Sequence, residues 1–138
     1  MNKGDYMLLT RATEYALLSL DNIRKSEKPV GVEQVANELN IPKSFLAKIL
    51  QNLAKQDILL SKKGAHGGFV LTKDINDITI NSVILAAEGK PPAVFDCVSY
   101  SDTCPQGAIG TCSISPFLAN FQHKIDDFLD ELTLGDIL

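Results

Sequence analysis

The chain has 138 residues, 45% of them hydrophobic and 22% charged, a balance that is ordinary for one globular domain with an appended element. It has no apolar run long enough to cross a bilayer and no signal-peptide pattern, so we expect a cytoplasmic protein without a membrane partner. The net charge of −4 would argue against DNA binding if it were spread evenly. Residues 40–63, however, carry five lysines and one aspartate, and phosphate attraction depends on such local charge.

Apolar residues that recur at steps of three and four divide most of the chain into helices. After a loose lead over residues 1–9, helices are predicted over residues 10–24, 31–39, 42–56, 79–87 and 114–132. Pro42 is placed in the first turn of the third helix, where its missing N–H is not needed. Apolar runs on either side of a glycine-rich tip then predict a β-hairpin before the fourth helix. The predicted fold class is mainly α with a small β-hairpin wing.

The third helix is predicted to have an apolar inward face and a polar outward face. The inward face is formed by Phe45, Leu46, Ile49, Leu50 and Leu53. The outward face carries Lys43, Ser44, Ala47, Lys48 and Gln51.

Two short helices joined by a tight turn and followed by a glycine-tipped hairpin are typical of a winged helix-turn-helix, whose second helix can enter the DNA major groove. Lysines are expected to contact phosphate, polar side chains to reach base edges, and the glycine tip to let the backbone approach DNA closely. The candidate DNA-binding residues are Lys43, Ser44, Lys48, Gln51, Lys62, Lys63, Gly67 and Gly68. The alternative is a winged helix used for protein contacts.

All three cysteines of the chain, Cys97, Cys104 and Cys112, lie in one predicted loop over residues 91–113. The odd count excludes a closed disulfide framework within one chain. Thiolates are the common ligands of iron–sulfur clusters, whereas the C-x2-C spacing typical of structural zinc sites is missing. A cluster is therefore favoured. Zinc, metal-free sensing of oxidants by the thiols and a loop without a sensing role remain alternatives.

The last helix carries a longer apolar stripe than a lone helix on a small domain needs. Its members are Ile114, Phe117, Leu118, Phe121, Ile125, Phe128, Leu129 and Leu132. A matching stripe on a second copy would give a twofold homodimer, and packing within one chain is the alternative. The predicted divisions are the lead 1–9, a DNA-binding domain 10–90, the cysteine loop 91–113, and a dimerisation helix with its tail 114–138.

Four segments resemble a family of bacterial winged-helix transcriptional regulators that includes IscR, NsrR, RirA, RsrR and the cluster-free CymR. They are LLTRATEYALLSL, VANELNIPKSFLAKILQNLAKQDIL, SKKGAHGGFVLTKDINDITINSVILAAEG and the cysteine loop, and they cover most of residues 8–112. The resemblance implies a homodimer whose C-terminal helix crosses to its partner. It also implies an iron–sulfur cluster, 2Fe–2S or 4Fe–4S, bound by the three cysteines.

The resemblance also bears on the fourth ligand of the cluster. IscR-like members use a histidine three residues after the last cysteine, and that position is Ser115 here. Related members use a carboxylate near the start of the first helix of the partner subunit, which implies Glu14. Glu14 as an ordinary solvated residue, and His123 as the ligand instead, are the alternatives.

These observations predict a DNA-binding repressor that binds a palindromic operator in double-stranded DNA under control of the cluster. The alternative is a cluster-free regulator that senses oxidants through its thiols, or a metabolite or a partner protein. An enzyme is not expected, since the sequence shows no C-x-x-C motif, no phosphate-binding loop and no Cys–His arrangement.

Overall fold

The computed structural model describes residues 10–92 and 113–138. Its elements in chain order are α1 (Arg11–Arg24), α2 (Val32–Leu39), α3 (Lys43–Lys55), β1 (Leu59–Lys62), β2 (Gly68–Leu71), a 3-10 turn (Ile75–Asp77), α4 (Ile80–Glu88), α5 (Ser115–Glu131) and α6 (Leu134–Ile137). The cysteine loop predicted around Cys97, Cys104 and Cys112 lies outside the described residues.

The two strands pair antiparallel, with Leu59 opposite Leu71 and Lys62 opposite Gly68. Helices α1 to α4 enclose one core with the hairpin, and its largest fully buried side chains include Leu20, Leu46, Leu50, Leu53, Ile58, Leu59 and Ile84. The predicted fold class, mainly helical with a small hairpin, is confirmed.

A tight turn joins α2 to α3. Asn40 ends α2 with φ +56°, and its N–H donates to the carbonyl of Ala36. Asparagine tolerates this left-handed conformation better than most residues, so the chain can reverse there without a glycine. The prediction that Pro42 lies in the first turn of α3 is wrong by one residue, because α3 begins at Lys43 and the Pro42 carbonyl accepts its first hydrogen bond.

The ends of α4 follow its predicted signals. The Thr79 hydroxyl accepts a hydrogen bond from the Ser82 N–H at 3.1 Å, which caps the first turn. Gly89 ends the helix with φ +77°, a left-handed conformation that glycine adopts without strain. The described chain then continues only to Pro92, so the predicted cysteine loop starts close to the end of α4.

The C-terminal end of α5 is fastened to the start of α4. The Ile80 N–H donates to the Leu132 carbonyl at 2.8 Å, and the Leu134 N–H donates to the Ile78 carbonyl at 2.9 Å. Leu134, on the short α6, is fully buried and Leu129 is nearly so. The sequence did not predict α6, which fixes the end of the chain to the domain.

The last turn of α1 carries a small surface charge network. Arg24 and Lys25 donate to the two carboxylate oxygens of Asp21 at 2.8 and 3.0 Å. The hydrogen bond from Lys25 is the main reason that the pKa of Asp21 lies below its ordinary value of 3.8; burial opposes this shift, and the hydrogen bond from Arg24 adds to it.

Candidate nucleic-acid interface and sensor residues

The polar face predicted on α3 is exposed. Lys43, Ser44, Lys48 and Gln51 all lie at the surface, while Leu46, Leu50 and Leu53 are fully buried against the core. The helix contains no acidic residue. Among residues 10–92 and 113–138 it makes one ion pair, a contact of 3.5 Å between Lys43 and Glu33 of α2; both side chains are well exposed, so solvent and salt screen it. The four candidates lie on one exposed side of α3, and their contact with DNA remains a prediction.

The wing is fastened to the segment between α1 and α2. Val30 and Phe69 exchange backbone hydrogen bonds of 3.0 and 2.8 Å, and Phe69 is buried. Lys62 and Lys63 are exposed at the end of β1, next to the tip of the hairpin. The hairpin therefore presents its two lysines from a fixed base.

The two glycines predicted to approach DNA have a structural role in the hairpin. Gly68 has φ +149°, and a Cβ there would lie 2.6 Å from the carbonyl carbon of Val30. A Cβ on Gly67 would overlap the backbone of Lys62 and Lys63. Both positions thus require glycine because of the neighbouring backbone, and a DNA contact at either one is a separate prediction.

Phe45 departs from its predicted place. It was expected on the inward face of α3, but 45% of its surface is exposed. Its ring meets that of Tyr15 on α1 edge to face, with centroids 5.6 Å apart, and the Arg11 guanidinium lies 6.0 Å from the Tyr15 ring. No local signal predicts this pair, because the two aromatic residues lie thirty positions apart.

The candidate sensor residues Glu14 and His123 lie within the described residues, whereas the three cysteines do not. Glu14 lies exposed in the first turn of α1, and among residues 10–92 and 113–138 its side chain has no hydrogen-bond or ion-pair partner. Ser115 begins α5, and His123 lies 3.5 Å from Asp127 on the exposed side of that helix. Within the described ranges, no three His, Cys, Asp or Glu side chains gather as a metal site.

Glu88 ties the start of α1 to the end of α4. Its Oε2 accepts hydrogen bonds from the hydroxyls of Thr10, which caps α1, and Thr13, the latter at 2.6 Å. Thr13 is fully buried, and Glu88 is half-buried. These two hydrogen bonds hold the first turn of α1, which includes Glu14, beside the end of α4. The predicted cysteine loop follows α4 in the chain. The sequence analysis missed this contact.

One face of α5 is apolar and uncovered. Phe117 and Phe128 are 60% and 59% exposed, and the Phe117 ring lies 5.9 Å from that of Phe121. Leu118 and Leu129 are instead buried within the chain. Part of the predicted apolar stripe is therefore buried within the chain. The rest, including Phe117 and Phe128, is not covered by any of the described residues. No helix in the described part of the chain is both long and apolar enough to span a membrane.

Comparison with known proteins agrees with the resemblance read from the sequence. Residues 9–138 match the Rrf2 family, described as iron-dependent transcriptional regulators. Protein Rrf2 of Nitratidesulfovibrio vulgaris is 31% identical over 134 residues, which cover 96% of this chain and 87% of that protein. The transcriptional regulator IscR of Photobacterium profundum is 27% identical, over 96% of this chain and 76% of its own length.

A solved structure shares the fold. CymR, the global cysteine regulator of B. subtilis, superposes with a TM-score of 0.67 at 22% identity and covers 94% of both chains. The matched family and the relative IscR are transcriptional regulators, which confirms the expectation that the chain is not an enzyme. The chain belongs to the Rrf2 family of transcriptional regulators.

Proposed function

We propose that this regulator acts as a repressor that binds an imperfectly palindromic operator as a homodimer, with α3 in the major groove and the wing against the neighbouring backbone. The observation that carries the proposal is the exposed face of α3, which offers two lysines and two hydrogen-bonding side chains without any carboxylate of its own. A helix fits the major groove, and lysines attract the phosphates that flank it.

The residues divide by the chemistry of their side chains. Lys43 and Lys48 neutralise phosphates, and Lys62 and Lys63 do so from the wing. Ser44 and Gln51 carry the donors and acceptors that read base edges. Gly67 and Gly68 keep the tip narrow enough for the backbone to approach the DNA.

A second copy covers the apolar face of α5. Exposed phenylalanines on one helix face are costly in water, and an isologous dimer buries the same face of both subunits at once. The dimer also places two recognition helices on one side of the DNA, which a palindromic operator requires.

Control of binding rests on the thiols. Cys97, Cys104 and Cys112 of one subunit, with Glu14 of its partner, are the residues that would hold an iron–sulfur cluster. Three thiols and a carboxylate are a suitable donor set, and Glu14 is exposed and unpaired within the described residues. A bound cluster supplies a redox-active group that oxidants can destroy. A carboxylate binds such iron less firmly than a thiolate does, so Glu14 would be the ligand most easily displaced.

Purification without oxygen tests the cluster. We expect a coloured protein containing iron and sulfide, and loss of both in the triple Cys97/Cys104/Cys112→Ala variant. Glu14→Ala should shift the visible spectrum, whereas Glu27→Ala, which removes another exposed carboxylate, should not. A colourless protein that takes up no iron on reconstitution would refute the cluster. It would leave the cluster-free alternative of sensing through thiols, a metabolite or a partner protein.

DNA binding is tested separately. A duplex selected from a random library by the full-length protein should bind more weakly to Lys48→Ala, with the slope of log K against log salt reduced by about two per dimer. Lys25→Ala removes an exposed lysine at the end of α1, outside α3, the wing and the apolar face of α5, and should leave the slope unchanged. An unchanged slope for Lys48→Ala would contradict the placement of α3 in the groove.

A further inference from the structure

The most exposed apolar side chain of α3 is Phe45, and it lies beside Lys48. It is the third residue of the helix, and residues near the N-terminus of a recognition helix are the ones that reach base edges. Phe45 and Lys48 are three positions apart and therefore neighbours on the helix surface. An apolar ring thus lies within the surface that the proposed function assigns to DNA.

The ring is also held in place. Tyr15 contacts it edge to face at 5.6 Å, with an interplanar angle of 87°, a favoured geometry for two aromatic rings. Tyr15 is half-buried on α1, which packs against α3 in the core. One side of the Phe45 ring therefore packs on Tyr15 and the other faces solvent. Because this packing already orients the ring, little side-chain entropy is lost when a ligand contacts it.

The charges around Phe45 indicate which ligand it meets. Lys48 is its neighbour on the surface of α3, Lys43 lies further round the same helix, and the Arg11 guanidinium lies 6.0 Å from the Tyr15 ring that contacts it. The centre of a protein–protein interface is usually depleted of such charges, whereas a polyanion is attracted by them.

We infer that Phe45 is a specificity-determining residue that contacts the C5-methyl group of a thymine in each operator half-site. That methyl is the apolar group that the base edges present in the major groove, and phenylalanine is among the side chains that contact it. The inference rests on the proposed DNA-binding function and adds a base preference to it.

Replacing thymine by deoxyuridine, one position at a time, tests the contact in the selected duplex. Uracil lacks only the methyl group, so hydrogen bonding is unchanged. At one thymine per half-site we expect the wild-type protein to lose about fourfold in affinity, the effect of withdrawing one buried methyl group from contact. In Phe45→Ala the same replacement should have no effect, and Phe45→Leu should keep part of the loss.

Leu18→Ala is the matched control, because Leu18 on α1 is also 45% exposed. It should retain the full thymine preference. Circular dichroism melting and sedimentation of each variant show whether folding or assembly has changed.

Several outcomes would overturn the inference. If no thymine can be replaced with loss of affinity in the wild type, Phe45 reads no methyl group, and this result needs no variant to fold. An equal loss in Phe45→Ala would assign the methyl contact to another residue. A changed oligomeric state in Phe45→Ala without any uracil effect would assign Phe45 to an interface between copies. In all three cases DNA binding with its Lys48-dependent salt slope survives, whereas failure to select any duplex would remove the DNA-binding proposal as well.

Discussion

The double hydrogen bond at Glu88 leads to a quantitative stability prediction. Glu88→Ala removes the acceptor of the Thr13 hydroxyl, which is fully buried and has no access to water. A buried donor left without a partner costs about 1–3 kcal/mol. Loss of a carboxylate beside the first turn of α1 adds about 0.3–1 kcal/mol through the helix dipole. We expect the free energy of unfolding to fall by about 2–3 kcal/mol.

Thr13→Val completes a double-mutant cycle. Valine has nearly the shape of threonine but donates no hydrogen bond, so the single variant should lose about 1 kcal/mol. Because the valine leaves no unsatisfied hydroxyl, adding Glu88→Ala to it should cost less than Glu88→Ala alone. We expect a coupling energy of about 1–2 kcal/mol between the two positions.

Urea unfolding followed by circular dichroism measures these energies, with all variants at one protomer concentration because dimerisation shifts apparent stability. A loss of 2 kcal/mol lowers the midpoint by about 1 M for a slope near 2 kcal/mol/M. Glu27→Ala, at an exposed carboxylate, should stay within about 0.5 kcal/mol of the wild type. Additive effects of Glu88→Ala and Thr13→Val would refute the contact between them.

Three further predictions concern the wing, the DNA-binding face and pH. Gly68→Ala should lower the free energy of unfolding by at least about 2 kcal/mol, because a Cβ has no room there, whereas Gly31→Ala, where nothing lies within 4 Å, should change the urea midpoint little. Glu33→Gln should strengthen DNA binding at low salt, because it frees Lys43 from its ion pair; equal affinity in a titration at two salt concentrations would contradict this. Asp21→Asn should lower stability slightly at pH 7, by up to about 0.5 kcal/mol. Since the pKa of Asp21 is lower in the folded chain than in the unfolded chain, its contribution is present above the ordinary value of 3.8 and is lost as the pH falls through the folded value. Unfolding curves of wild type and variant should therefore converge in acid, and a constant difference would refute the assignment.

The sequence predicted the elements whose signals are local. Thr79 and Gly89 mark the ends of α4 because a threonine hydroxyl and a left-handed glycine each act within one turn of the helix. The lysines of α3 were placed correctly at the surface for the same reason, since the helical period alone separates them from the buried leucines.

Contacts between distant parts of the chain were not predictable in this way. Phe45 lies about 90° from the centre of the buried stripe of α3, so the helical period alone does not predict whether its side chain is buried or exposed. Its surroundings depend on Tyr15 of α1, which contacts it. Glu88 and Thr13 are seventy-five residues apart. The four-residue α6 is too short to show a helical period in the sequence. Burial of Leu134 in the core stabilises it.

The fastening of Leu132 and Leu134 to the start of α4 fixes the C-terminal end of α5 to the helix that precedes residues 93–112. Nearer its N-terminal end, the buried Gln122 side chain donates to the Pro92 carbonyl at 3.1 Å, so α5 is also bonded to the last described residue before that segment. Residues 93–112 therefore start from a residue bonded to α5 and end where α5 begins. A ligand held by that segment would act on α5 directly, and α5 is the helix that carries the uncovered apolar face.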